Sequence, residues 1–136
     1  MPLRTNWKNS AMTDVVLDSS AVIAVFKREP GWSDVLPLLK SATVSAVIYA
    51  EIVTWLARRT GSADISDLEA LELKVSDLNR SRAVAAGLLL PRTRHRGLSL
   101  ADRSCLALAI ELGLPAVTAD RAWRDLDIGA EIRLIR

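Results

Sequence analysis

The periodic part of the chain begins at Val15. Val15-Val16-Leu17 is apolar throughout and ends in an acid, Asp18, as a short strand buried on both faces would. Residues 19–27 (SSAVIAVFK) predict a helix, closed by the turn signal Glu29-Pro30-Gly31. Residues 32–40 predict a second short helix and 42–45 a second strand. Residues 46–59 form a long apolar stretch ending in Arg58-Arg59 and followed by Gly61, the expected exit of a helix. Residues 65–73 read as a charged amphipathic helix and 74–78 as a third strand. A helix over 81–90 is stopped by Pro91, and a helix over 99–112 runs into Gly113 and Pro115. Residues 115–118 predict a strand, 121–126 a helical turn and 131–135 a last strand. Strands separated by helices argue for an α/β fold, a mostly parallel sheet covered on both faces.

Residues 1–12 carry no period. They read as a flexible leader, an upstream start or a remnant of cloning, leaving one domain over 13–136. The 136 residues suffice for one domain with a real core. Half are apolar and a quarter charged, as in ordinary globular proteins. No stretch is long enough to span a bilayer or patterned as a signal peptide. Cys105 is the only cysteine, so no internal disulfide can form and a cytoplasmic setting is expected. The net charge of +2, from 18 basic and 16 acidic residues, says little about partners.

Four acids carry the candidate chemistry. Asp18 and Asp120 follow predicted strands, at the carboxyl edge where parallel sheets bind ligands. Each also precedes a predicted helical segment, so helix capping explains either one when taken alone, at about 1 kcal/mol. Ser99-Leu100-Ala101-Asp102 has the shape of a capping box, which explains Asp102 equally well. Glu51 has no such explanation. It is the only charge between Ser41 and Ala57, and its neighbours one turn away are Val47, Ile48, Thr54 and Trp55. This predicts a buried carboxylate that needs a basic side chain or a metal ion beside it. Several carboxylates without histidine or cysteine clusters favour a hard cation, Mg²⁺ or Mn²⁺ rather than Zn²⁺.

VVLDSSAVIAVF, VSAVIYAEIVTWLARR and GLSLADRSCLALAIELGLPAVTADRAW resemble, in order and spacing, the three signature blocks of PIN-domain ribonucleases. Within that family the nearest likeness is to VapC toxins of type II toxin–antitoxin modules. The blocks extend from Val15 to Trp123, across nearly the whole chain. The resemblance implies a three-layer α/β/α fold around a central, mostly parallel sheet. It implies a Mg²⁺- or Mn²⁺-dependent endoribonuclease in which a metal-activated water attacks the scissile phosphate in line. The family's four acids fall on Asp18, Glu51, Asp102 and Asp120, which would hold one or two ions. Its small hydroxyl residues match Ser20 and Thr118, placed behind the ligands, with Asp125 as a further acid nearby. A homodimer and a VapB-type antitoxin are the partners it implies, with RNA as substrate and no membrane.

With four acids committed to metal, the remaining charge is more basic. Pro91–Gly97 (PRTRHRG) is the densest basic stretch. As a flexible loop beside the site, its Arg92, Arg94 and Arg96 would suit RNA phosphates; as a solvated loop they would face nothing. Arg103 and Arg121 each follow a proposed ligand and are candidates for substrate contact. His95 is more simply incidental, and Cys105 more simply core. Trp55 reads as core or as part of a dimer or antitoxin surface, and Trp123 as the anchor of the last short helix. A haloacid-dehalogenase-type phosphatase is disfavoured, because Ser20 stands where its second aspartate belongs. A dinucleotide-binding domain is disfavoured because Val15–Phe26 has no glycine. A housekeeping PIN nuclease in RNA maturation and a non-catalytic PIN-fold interaction module remain as alternatives.

Overall fold

A computed structural model describes residues 14–136; the expected leader, residues 1–12, lies outside the described residues. Five strands form one wholly parallel sheet: β1 (Val15–Leu17), β2 (Ala42–Ser45), β3 (Lys74–Ser76), β4 (Ala116–Thr118) and β5 (Ile132–Leu134). Their order is β3-β2-β1-β4-β5. β1 therefore lies in the middle, with Val16 beside both Thr43 and Ala116. Every residue of β1 and β4 is buried, which is why both read as unbroken apolar runs rather than alternating ones.

The helices are α1 (Ser19–Lys27), α2 (Trp32–Val35), α3 (Ala46–Thr60), α4 (Ser66–Glu69), α5 (Arg80–Leu88), α6 (Leu90–Thr93) and α7 (Leu100–Leu112). They cover the sheet in a three-layer α/β/α arrangement. Ile48, Ile52 and Leu56 recur every four residues and form the buried stripe of α3. α7 is buried over Ala101 and Ser104–Ala109 and packs against β1, β2 and β4, as well as α3 and α5. A helix buried on most sides has no polar face to show, which accounts for the run Cys-Leu-Ala-Leu-Ala. Trp123 is fully buried in a 3₁₀ turn, Arg121–Trp123, as its anchoring role requires.

Gly31 is the one glycine whose side chain has no room. Its φ is 93°, and a Cβ there would stand 2.3 Å from the Ile135 carbonyl oxygen. The turn after α1 therefore lies against the end of the chain, and Arg136 donates to the Pro30 carbonyl at 3.1 Å.

Three expected elements differ. Residues 32–40 split into α2 and a 3₁₀ segment, Leu36–Ser41, because Pro37 lacks an N–H and its ring disfavours an α-helical carbonyl at Ser33. The helix expected over 65–73 is the single turn α4. It starts where the Ser66 N–H bonds Asp64 Oδ1 and is broken by Glu72 at φ 53°, and only its Leu68 is buried. Pro91 stops nothing. α5 already ends at Leu88, and Pro91 sits in the first turn of α6, where its missing N–H is harmless. The basic stretch is accordingly helical over 91–96, with Arg94–Arg96 in a 3₁₀ turn and Gly97 as its left-handed cap, and not a flexible loop. Among the described residues no helix is long and apolar enough to cross a membrane.

Candidate functional site

The strand order reverses at the centre of the sheet: β2 and β3 follow β1 on one side, β4 and β5 on the other. Such a switch point opens a crevice at the carboxyl ends of the two central strands. Asp18 stands there. It leaves β1 with its N–H bonded to the Val117 carbonyl at 2.9 Å, so the pairing with β4 fixes its backbone.

The Asp18 side chain is 3 % exposed. It occupies the cap position of α1 but makes no capping hydrogen bond. Its two oxygens have different surroundings. Oδ2 accepts from Ser20 Oγ at 2.7 Å and from Thr118 Oγ1 at 2.8 Å. The hydroxyls are aimed by backbone donors behind them: Ala119 N–H bonds Ser20 Oγ at 2.9 Å, and Asp120 N–H bonds Thr118 Oγ1 at 3.0 Å. Each hydroxyl has one proton, and both protons are spent on Oδ2. The 3.1 Å separation of the two hydroxyl oxygens is then a contact of acceptors. Oδ1 is buried and has no partner. Burial drives the Asp18 pKa up to about 6; the two hydroxyl bonds and the Ser19 backbone N–H oppose this, and the negative charge of Asp102 adds to it.

Asp102 sits in the first turn of α7, in the capping box foreseen from the sequence. Its Oδ2 accepts from the Ser99 N–H at 2.9 Å, while Ser99 Oγ accepts from the Asp102 N–H at 3.1 Å. Asp120 also caps: its Oδ1 accepts from the Ala122 N–H at 2.9 Å. Glu51 is exposed, not buried as expected. The apolar residues around it in sequence serve the stripe Ile48–Ile52–Leu56, and position 51 falls outside that stripe. Its Oε1 accepts from Ser19 Oγ at 3.1 Å. Ser19 was not singled out in the sequence. Nothing periodic links it to a residue 32 positions away; only its place next to Asp18 is a signal.

One oxygen of each of the four carboxylates is thus held by the protein, and among the described residues the other takes no hydrogen bond. No Lys, Arg or His among the described residues pairs with any of them. Three of the acids share one neighbourhood. The buried Cys105 thiol, one turn beyond Asp102, is pushed well above its ordinary pKa by burial and then by the charges of Asp18, Asp102 and Glu51. Asp120 is joined to this group through its backbone, by its N–H on Thr118 Oγ1. Among the described residues, no three His, Cys, Asp or Glu side chains converge closely enough to hold a metal ion as they stand. The donor set is nonetheless one a hard cation fits: oxygens only, four of them unspent, one of them buried without a partner.

The remaining candidates separate. Ser20 and Thr118 lie directly behind Asp18. Asp125 is exposed in left-handed backbone (φ 62°) and bonds none of these side chains. Arg103 turns away to the end of α5, where Nη1 donates to the Ala86 and Gly87 carbonyls at 3.1 and 3.4 Å. Arg92 Nη2 donates to the Asp127 carbonyl. Arg94, Arg96 and Arg121 are exposed.

Solved structures with the same fold include three toxin–antitoxin proteins. The DNA-bound VapBC of Salmonella typhimurium aligns at a TM-score of 0.67 with 18 % identity, over 92 % of this chain and 100 % of that one. VapC20 of Mycobacterium tuberculosis, described as a sarcin–ricin-loop-cleaving toxin, aligns at 0.67 with 19 % identity, over 87 % and 99 %. A toxin–antitoxin complex from Klebsiella pneumoniae aligns at 0.64 with 15 % identity, over 88 % and 100 %. Comparison with curated protein sequences gives no match. The PIN domain family model matches residues 15–129, a span that takes in β1 with Asp18, Glu51 on α3, Asp102 on α7 and Asp120 after β4. With that match over most of its length and Asp18 at the switch point of a parallel five-stranded sheet, the chain belongs to the PIN domain family.

Proposed function

We propose that this protein is a Mg²⁺- or Mn²⁺-dependent endoribonuclease, the toxin of a VapBC-type module. The observation that carries the reading is Asp18 Oδ1: a carboxylate oxygen, buried at the switch point, that no hydrogen bond satisfies and that no Lys, Arg or His among the described residues pairs with. An ionised group so placed is costly unless a cation joins it. Asp102 and Glu51 act on the same neighbourhood, and each has an oxygen to spare. Asp18, Glu51, Asp102 and Asp120 would hold the ion. When bound, a divalent cation supplies an activated water and offsets the charge that builds on a cleaved phosphodiester. Ser20 and Thr118 keep Asp18 Oδ2 occupied and so direct Oδ1 towards the ion. Asp102 and Asp120 each cap a turn with one oxygen, which leaves each a second oxygen for the ion. Arg94 and Arg96, exposed just ahead of α7, are free to meet RNA phosphates. Arg103 serves the join between α5 and α7 and is a weaker candidate for substrate contact. The likeness to VapC20 and to the VapBC structures supports a toxin with an antitoxin partner over a housekeeping nuclease, and a homodimer in the cytoplasm is part of that reading.

The test is direct. Purified protein with Mn²⁺ is expected to cut a panel of structured RNAs, EDTA to stop it, and Asp102→Asn to abolish cutting while keeping the capping bond and the fold. Cutting by Asp102→Asn at the wild-type rate would refute the assignment. A non-catalytic PIN-fold module is the second reading, favoured by the wide spacing of the acids. It gains if calorimetry finds no divalent ion bound by the wild type.

A further inference from the structure

The geometry points to Ser19 as a positioning residue for Glu51, an inference that rests on the metal-dependent reading above. Glu51 is exposed on α3, and a glutamate on an exposed helical face samples several rotamers. Here one contact selects among them: Ser19 Oγ donates to Glu51 Oε1 at 3.1 Å. Ser19 is the residue after Asp18 and opens α1. Its hydroxyl spends its single proton across the helix interface rather than on its own helix. The bond therefore ties the carboxylate of Glu51 to the backbone that carries Asp18, and it leaves Oε2 unspent. A carboxylate ordered in advance loses less freedom when a cation binds, so the ion binds more tightly.

The interface between α1 and α3 does not depend on this bond. Phe26, near the other end of α1, meets Trp55 of α3 with ring centroids 6.1 Å apart. Removing the Ser19 hydroxyl should leave the two helices packed. A loss of metal affinity would then report on Glu51 and not on the fold.

The probe is Mn²⁺ alone, titrated calorimetrically into the full chain without RNA. Ser19→Ala is expected to weaken Mn²⁺ binding about tenfold, the lower end for lost hydrogen bonds behind metal ligands. Ser19→Thr keeps the hydroxyl and is expected to bind like wild type. In the Glu51→Ala background, Ser19→Ala should cost nothing further, because the residue acts only through Glu51. The unfolding temperature in EDTA should be the same for wild type and Ser19→Ala. Wild-type affinity in Ser19→Ala, or a further loss in the double variant, overturns the positioning role and leaves the proposed function standing. Absence of Mn²⁺ binding by the wild type overturns both.

Discussion

Neutralising Asp18 should make the metal-free protein more stable while destroying its activity. The folded carboxyl titrates at about 6, against a starting value of 3.8, with burial as the main cause. Below 3.8 the group is neutral in folded and unfolded chains alike and costs nothing. Between 3.8 and about 6 the unfolded chain releases its proton and the folded chain keeps it, so stability is lost as pH rises. Above about 6 the whole loss is in place. At 1.36 kcal/mol per pH unit, the full difference is roughly 3 kcal/mol. The side chain is 3 % exposed, so solvent screening takes little of it away. Asp18→Asn stands in for the neutral acid, and its carbonyl oxygen can still accept from Ser20 and Thr118. The measurement is urea unfolding of both proteins in EDTA at several pH values. The stability of Asp18→Asn relative to wild type should grow by roughly 2 kcal/mol between pH 4 and pH 7.5. Adding Mn²⁺ should then raise the stability of wild type and leave the variant unmoved. A difference that stays constant with pH, or shrinks as pH rises, refutes the idea that Asp18 is held as a costly buried carboxylate.

Thr118→Val removes one of the two proton donors to Asp18 Oδ2, so the Asp18 pKa should climb further; the pH at which Mn²⁺ binding sets in should move up, and affinity at pH 7 should fall by about tenfold or more, read by calorimetry. Arg94→Gln together with Arg96→Gln should weaken RNA binding without altering Mn²⁺ affinity, and should flatten the dependence of log affinity on log salt by about 0.7 for each phosphate that is no longer neutralised. Gly31→Ala should destabilise the fold by at least about 2 kcal/mol in denaturant unfolding, because φ 93° disfavours any side chain and its Cβ would meet the Ile135 carbonyl oxygen at 2.3 Å.

Much of this protein is written locally. The apolar runs at 15–17 and 116–117 announce buried parallel strands, and Ser45, Asn79 and Ser99 mark helix starts that their side chains do cap. The capping box at Ser99–Asp102 is complete within four residues, so the sequence alone contains all of its partners. Misreadings came where one local signal admits two outcomes. Pro91 ends one helix as naturally as it begins another, and the apolar neighbours of Glu51 bury a stripe beside it rather than the glutamate itself. The centre of the site was beyond any local pattern. Thr118 donates to a carboxylate 100 residues away, and it does so because β1 pairs with β4 instead of only with β2. That pairing decides which oxygen of Asp18 is occupied and which is left bare. Ser19 meets Glu51 only because α1 packs on α3. The sequence by itself determined which acids, hydroxyls and helices exist and in what order. Tertiary structure decided which of them touch, because strand order and helix packing are set by the burial of the whole sheet, and no period within a segment records them.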